Sequence, residues 1–450
     1  STSVPDFHFF DLWDNRRSMA DVYPFRGLCY SSQRVAIADV VTEPYDKISP
    51  EMRERYYARD PHNIVRIILG KPNPDDTPAR NVYTRATAYL QDWKKSGVLQ
   101  PSAAPAFWVY RQRYTVPGAA GARERMGFVG LGRIEDYASR VVFPHERTLA
   151  GPKADRLELL RNTRAHFEQI FMLYEDPDRT IDRILEGVAA GPADIQLTDE
   201  RGVEHALWMM RSAADIATIS ANMGGRRLII ADGHHRYETA LRFRDEMRAA
   251  HPGAGADAPF ERMPMTFFNM DAPGLVILAT HRIVARLPGF DATAFLGRAR
   301  EWFDMDVASE DDLGQAIERA GRQRPSIGVV AGQSRWILSL KPTLDLGAEM
   351  PDLSAGERAL DVVLLHRLLI ERGLGITEEA VRHESHITYA REPDAAIQAV
   401  KSGAAQIAFL LNPTRIDQMR DIAYAGKVMP QKSTDFYPKV LSGLLIYTLD

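Results

Sequence analysis

The apolar run Leu228-Ile229-Ile230-Ala231, followed at once by Asp232-Gly233-His234-His235-Arg236, constrains the fold more than any other part of this sequence. A short continuous apolar run entered from glycines suits a buried strand. From Arg236 onward, Tyr237, Ala240, Leu241 and Met247 recur at helical spacing. The chain must therefore turn sharply through Gly233 from strand into helix. Such a turn presents backbone N–H groups and the positive end of a helix dipole beside the strand's carboxyl end, which makes an anion site. Glycine lets another group approach the backbone closely. Arg236 adds a planar fork matched to phosphate oxygens. Asp232 is placed to hold a metal ion or to accept a proton from a hydroxyl. His234 and His235 can donate hydrogen bonds to phosphate or shuttle a proton near neutral pH. A lone Asp-Gly turn reads more simply as a capped helix start; two histidines and an arginine beside it favour function. Zinc is not expected here, because adjacent histidines on a helix diverge.

The surrounding pattern is mixed α/β. Residues 23–48 read as short extended pieces, with Glu43-Pro44-Tyr45-Asp46 as a turn. Helices are expected at 50–58 and 78–96, and a hairpin over 107–134 opened by Pro117-Gly118. Leu157, Leu160, Phe167, Ile170 and Phe171 suggest one helix over 153–175, followed by another over 180–190. Strands are expected at 265–270, 275–279, 327–330, 336–340 and 407–411, and a helix at 292–302. The length of 450 residues implies two domains, with Pro288-Gly289 as the expected boundary: 1–287 and 288–450.

A net charge of −4 provides no electrostatic footprint for general nucleic-acid binding, and a nuclease would need one. The single cysteine, Cys29, excludes an intramolecular disulfide and fits a reducing cytoplasm; a buried thiol is its expected role. No apolar run is long enough to cross a bilayer, and the start Ser1-Thr2-Ser3-Val4-Pro5-Asp6 lacks the features of a signal peptide. A cytoplasmic protein without membrane or nucleic-acid partners is expected.

Three further clusters carry polar chemistry. Pro144-His145-Glu146-Arg147-Thr148 and Pro152-Lys153-Ala154-Asp155-Arg156 lie between a strand and a helix, where a base and a phosphate clamp are often placed. Met429-Pro430-Gln431-Lys432-Ser433-Thr434 ends like a P-loop but lacks its glycines. Thr280-His281-Arg282 closes a strand and is a candidate for the same site. His383-Glu384-Ser385-His386 does not have metalloprotease spacing, and neither a Gly-x-Ser-x-Gly elbow nor a Gly-x-Gly-x-x-Gly fingerprint is present.

Taken together with Pro24-Phe25-Arg26-Gly27, Pro44-Tyr45-Asp46-Lys47-Ile48 and His62-Asn63-Ile64-Val65-Arg66, these clusters resemble, nearly end to end, a large bacterial and archaeal family recognised by an Asp-Gly-His-His-Arg box. The box is in turn similar to the phosphate-binding box of the ParB/sulfiredoxin-like superfamily, which includes partition proteins, sulfiredoxins and free serine kinases. The resemblance implies a ParB/sulfiredoxin-like N-terminal core with a large insertion, plus a C-terminal α/β domain contributing to the site. It implies phosphate binding by Gly233, His234, His235 and Arg236, and a catalytic Asp232. The kinases also use a glutamate base from an earlier strand, for which Glu43, Asp46 and Glu146 compete. The sulfiredoxin cysteine has no counterpart in the box. The expected activity is phosphoryl transfer to or from a small hydroxylated metabolite, serine or phosphoserine foremost, with ATP or ADP and Mg²⁺. Asp232, His234, His235 and Glu146 are the catalytic candidates; Gly233, Arg236, His145, Lys153, Arg156, His281, Arg282, Lys432, Ser433 and Thr434 are the phosphate- or substrate-binding candidates. The alternative is a nucleotide-responsive binding protein without metabolite turnover.

Overall fold

A computed structural model describes residues 20–146, 151–309 and 313–449. The terminal segment read for a signal peptide, and Arg147 and Thr148 of the second cluster, lie outside the described residues. The fold is mixed α/β and divides into two compact units. Unit 1 comprises 1–143, 153–273 and 440–450; unit 2 comprises 144–152 and 274–439. The division thus differs from the boundary expected at Pro288-Gly289. Val276–Leu278 pairs with Asp435–Tyr437, and His281–Val284 lies inside the sheet of unit 2, so residues 274–287 are tied to the C-terminal part of the chain.

Unit 1 is built on a nine-stranded sheet. Its order is Val142–Phe143, Leu228–Asp232, Ile170–Tyr174, Arg262–Asn269, Ala122–Arg133, Trp108–Thr115, Glu204–Met209 and Ile195–Thr198, with Val22–Tyr23 also on Ala122–Arg133. Two pairings are parallel: Leu228–Asp232 with Val142–Phe143, and Arg262–Asn269 with Ile170–Tyr174. The expected hairpin is present, with Trp108 opposite Val129 and Thr115 opposite Ala122. Gly127 lies so close under Phe267 and Phe268 that a Cβ there would overlap the Phe267 carbonyl and the Phe268 ring. The core gathers Phe128, Ile170, Met172, Tyr174, Ile230, Tyr237 and Phe267, which joins the central strands to the first turns of the helix His234–Ala250.

Two sequence expectations are corrected in this unit. The helix expected over 153–175 ends as Gly151–Thr163, and the chain continues as the strands Ala165–His166 and Ile170–Tyr174. Arg164, at φ 51°, leaves the helical conformation, and the five residues from Ile170 are all buried. A helix would expose part of that run, whereas a strand covered on both faces hides all of it. The extended piece expected near Val35-Ala36-Ile37-Ala38 contains instead the one-turn helix Ile37–Val40. Its backbone is satisfied locally: the Asn63 side chain donates to Asp39 O at 2.7 Å and Ile64 N–H to Val40 O at 2.8 Å. The helices Pro50–Arg59, Val82–Lys95 and Thr180–Ala189 form as expected; the first two are capped by Ser49 and Asn81.

Unit 2 holds a six-stranded sheet whose neighbours are all antiparallel: Phe303–Val307, Ser334–Leu340, Ser326–Ala331, Ile407–Leu410, His281–Val284 and Ile387–Ala390. Leu313–Gly321 and Pro393–Lys401 pack Leu313, Ile317, Ala396, Ile397 and Val400 on Val330, Ala408 and Leu410. Among the described residues no helix is long and apolar enough to cross a membrane.

Candidate functional site

The strand Leu228–Asp232 ends at a register shift between Ile230 and Asp232, so Asp232 stands at the sheet's carboxyl edge. Gly233 follows at φ 97°, a left-handed conformation that costs glycine little and other residues more. A Cβ at this position would stand 3.0 Å from both the Arg236 guanidinium and Ile170 Cδ1. The helix His234–Ala250 therefore starts with no side-chain cap and no acidic residue in its first turn. His234 and His235 are half-buried on that turn, and the His235 carbonyl accepts from Thr239 Oγ1 at 2.8 Å.

Arg236 turns back into the site. One guanidinium nitrogen donates to Asp232 Oδ2 at 2.9 Å, another to the Gln169 carbonyl at 2.8 Å. Burial lowers the Arg236 pKa, but Glu168, Asp232 and Asp46, together with Tyr45, outweigh burial and leave it above its ordinary value. The fork read from sequence as a phosphate ligand is thus already engaged in fixing Asp232. Glu168 is buried, and its Oε1 accepts from Tyr45 N–H at 3.1 Å and from Ser442 Oγ at 2.9 Å.

Arg156, on the helix Gly151–Thr163, lies 4.2 Å above the Tyr45 ring. It donates through Nε and Nη2 to Asp155 Oδ2 at 2.9 and 2.5 Å, while Asp155 Oδ1 accepts from Tyr83. Its Nη1 is buried with no hydrogen-bond partner among the described residues, although the residue is 7% exposed. Arg156, Glu168, Arg236 and Thr239 line one small cavity of about 50 Å³. Lys153, three residues earlier, is paired with Glu238 on the helix His234–Ala250. Five residues chosen from sequence (Asp232, Gly233, Arg236, Lys153 and Arg156) therefore belong to unit 1 with His234 and His235, and Tyr45, Asp155 and Glu168 join them. Of the competing carboxylates, Asp46 acts electrostatically on Arg236, whereas Glu43 is buried in an ion pair with Arg201.

The other candidates belong to unit 2. His145 is fully buried, with Nε2 2.6 Å from Thr434 Oγ1. Glu146 Oε1 accepts from the Lys432 N–H at 2.7 Å, and Glu146 bridges to Met429. Lys432 adopts φ 58°, and Ser433 Oγ donates to the Pro430 carbonyl at 2.5 Å. Arg282, almost wholly buried, donates to the carbonyls of Thr280, Gln431 and Lys432 at 2.5, 3.1 and 3.0 Å. Burial pushes its pKa down to about 10. His281 Nδ1 accepts from the Leu411 N–H at 3.2 Å. These contacts brace the turn at 431–434. Among the described residues no three His, Cys, Asp or Glu side chains are grouped to hold a metal.

Burial pushes three imidazoles down: His166 to about 4, His281 to about 4 with help from Arg282, and His366 to about 3 with help from Arg282. Each is neutral when folded and takes up a proton on unfolding below 6.5, so stability is full above that value and falls as pH drops toward 4. The expected slope is about 1 kcal/mol per pH unit for each imidazole. Thermal midpoints measured from about pH 7 to about pH 4.5 should show it, and His281→Asn should reduce the summed slope by about a third; an unchanged midpoint over that range contradicts the assignment.

The family model described as Protein of unknown function (DUF1015) matches residues 22–363. No curated protein matches the sequence. Among solved structures, the chain is similar to a conserved hypothetical protein from Pyrococcus furiosus, at 12% identity and TM-score 0.34, over 67% of this chain and 89% of that one. It is also similar to a free serine kinase in complex with AMP, at 12% identity and TM-score 0.33, over 66% and 83%. A third likeness is to SbnI with C-terminal truncation from Staphylococcus aureus, at 9% identity and TM-score 0.35, over 70% and 85%.

Proposed function

The chain belongs to the family described as Protein of unknown function (DUF1015), and from that premise we propose that unit 1 is a phosphotransferase acting on a small hydroxylated metabolite. One observation carries this reading: Asp232 is held by Arg236 at an uncapped helix start, in the same unit as Arg156, whose buried Nη1 has no partner among the described residues. The helix start and Arg156 are suited to phosphate oxygens, and Asp232 is suited to orienting the attacking hydroxyl.

The charge balance narrows the ligand. Asp46, Asp155, Glu168 and Asp232 are four carboxylates against the two guanidiniums of Arg156 and Arg236. A bare anion is poorly matched to that excess. A phosphate accompanied by a divalent cation, or an amino acid carrying its ammonium group, fits better. Mg²⁺ commonly binds through one or two carboxylates plus phosphate oxygens. Asp232 and Asp46 are the residues that would hold it, and it would neutralise phosphate charge. The chain's own part is positioning. The acceptor hydroxyl gives its proton to Asp232 as its oxygen bonds to phosphorus, and the donor's bridging oxygen leaves with the electron pair of the broken P–O bond.

Serine with ATP is the first pair to test, since the box is similar to that of the free serine kinases. The assay is phosphoserine and ADP formation with Mg²⁺, run also in reverse. Turnover is expected in one direction. Nucleotide binding with no turnover of serine or of any pooled hydroxylated metabolite overturns the reading in favour of a nucleotide-responsive binding protein. Within the assay, Arg156→Met should raise KM for the phosphate donor about tenfold to a hundredfold, the worth of a charge-assisted hydrogen bond, with a smaller change in kcat. An unchanged KM removes Arg156 from the phosphate site.

A further inference from the structure

The nine-stranded sheet of unit 1 carries a buried cation to which the site described above assigns no part. Arg125, on the strand Ala122–Arg133, is 2% exposed. Its Nε donates to Gln112 Oε1 at 2.8 Å, and its guanidinium carbon lies 4.7 Å from the Phe171 ring centroid and 4.8 Å from that of Phe268. Two aromatic rings attract the cation, and a guanidinium is more weakly hydrated than an ammonium, so its burial costs less. Burial still pushes its pKa down, to about 10, against the pull of Tyr114, Tyr110 and Asp232, so the group is charged at neutral pH.

The register of the sheet explains how Asp232 comes to share a face with this cation. Ile230 pairs with Met172 and Asp232 with Phe171, so Ala231 is the extra residue of a β-bulge. Side chains alternate between the two faces along a strand. Without the extra residue, Asp232 would point with Ile230 into the core that also holds Met172 and Phe267. With it, Asp232 stands directly opposite Phe171, and the two side chains lie on one face. That is the face on which the Arg125 guanidinium lies over the Phe171 ring.

We propose that Arg125 is a positioning residue for Asp232, a second guanidinium that keeps this carboxylate charged and aimed from the sheet while Arg236 holds it from the helix. An aspartate that takes a proton from a hydroxyl must be ionised before turnover. The use made of Asp232 rests on the phosphotransferase reading; the coupling of the two charges does not. Arg125 joins Arg156 and Arg236 as a third cation against the carboxylates Asp46, Asp155, Glu168 and Asp232, so negative charge still remains for a divalent cation or an ammonium group. Other titratable groups facing the pair are His234 and His235 on the first helical turn, Glu168, Asp46 and Tyr45 around Arg236, and Tyr110 and Tyr114 on the strand Trp108–Thr115. Burial pushes the Tyr110 phenol up, so it stays neutral as pH falls. Beyond it stands His205, with Nδ1 2.7 Å from the Tyr110 hydroxyl and Nε2 3.2 Å from Asp199 Oδ2.

The test follows the Asp232 carboxyl carbon by NMR in the full chain as pH is lowered, the signal being assigned by its loss in Asp232→Asn. Arg125→Met should raise the Asp232 titration midpoint by about one pH unit, the lower end of what an opposite charge does to a neighbouring aspartate. Arg125→Lys, which keeps a cation beside the two rings, should raise it by less. The acid limb of kcat with serine and ATP should move upward with the NMR midpoint in each variant. The NMR readout needs no turnover, so the two readings fail separately: a raised midpoint without turnover supports the coupling and overturns only the phosphotransferase reading. A midpoint unchanged in Arg125→Met, or equal shifts in the Met and Lys variants, overturns the inference. If Arg125→Met does not fold, the reciprocal variant decides. Asp232→Asn should shift the Arg125 Nε–H signal, assigned through its contacts with the Phe171 and Phe268 rings, and an unmoved signal overturns the inference.

Discussion

Asp232→Asn should lower kcat by about 10²–10⁴-fold, the range of a positioned acid–base group, while leaving the thermal midpoint nearly unchanged. Asparagine has the same shape and can still accept from Arg236 Nη2, so the turn at 232–236 keeps its geometry. Its loss is the negative charge that takes the hydroxyl proton. The side chain keeps 17% of its surface exposed, so the neutral amide adds little burial cost. The contrast with Arg156→Met makes the test specific: one variant acts on kcat and the other on KM. Equal turnover by Asp232→Asn and the unmodified chain, with serine and ATP at saturation, would remove Asp232 from the reaction.

The elements that carry Asp232 were legible because several local signals agreed. Leu228–Asp232 is a strand, Gly233 a left-handed turn, and His234–Ala250 a helix whose buried positions include Tyr237, Ala240 and Phe243. Apolar pattern, glycine and period all pointed to that geometry. Ile170–Tyr174 was misread because Phe167, Ile170 and Phe171 also fall at helical spacing, and periodicity cannot separate a short buried strand from a buried helix turn. The unbroken run Ile170-Phe171-Met172-Leu173-Tyr174, just past Glu168-Gln169, was the available signal: it is more apolar than an amphipathic helix allows.

Glu168 and Tyr45 were out of reach for another reason. Glu168 lies in no motif; Tyr45 lies in the Pro44-Tyr45-Asp46-Lys47-Ile48 motif, but there the neighbouring carboxylates drew the reading, and it joins the site through partners more than a hundred residues away. The return of 440–450 to unit 1 is likewise a long-range pairing: Tyr447–Thr448 lies against Ala165–His166. Arg236 was legible as a residue but not in its engagement. A guanidinium beside an anion cradle reads as a phosphate ligand until the carboxylate four residues before it is seen to occupy it.

That engagement sets the second large effect. Arg236→Met should destabilise unit 1 by roughly 2–4 kcal/mol, toward the lower side of what breaking a buried ion pair costs, because Asp232 retains some solvent. Three carboxylates, Asp232, Glu168 and Asp46, would lose the guanidinium cation that they hold charged despite its burial. Their mutual repulsion would then oppose folding. Adding Asp232→Asn to Arg236→Met should recover part of the loss, because the neutral amide leaves one fewer unpaired charge. A double-variant cycle by urea denaturation measures this coupling, expected above about 1 kcal/mol for residues in direct contact. Additivity of the two substitutions would mean that Arg236 supports the fold through its Gln169 carbonyl and its other carboxylate neighbours, and Asp232 would then need another group to hold it in place.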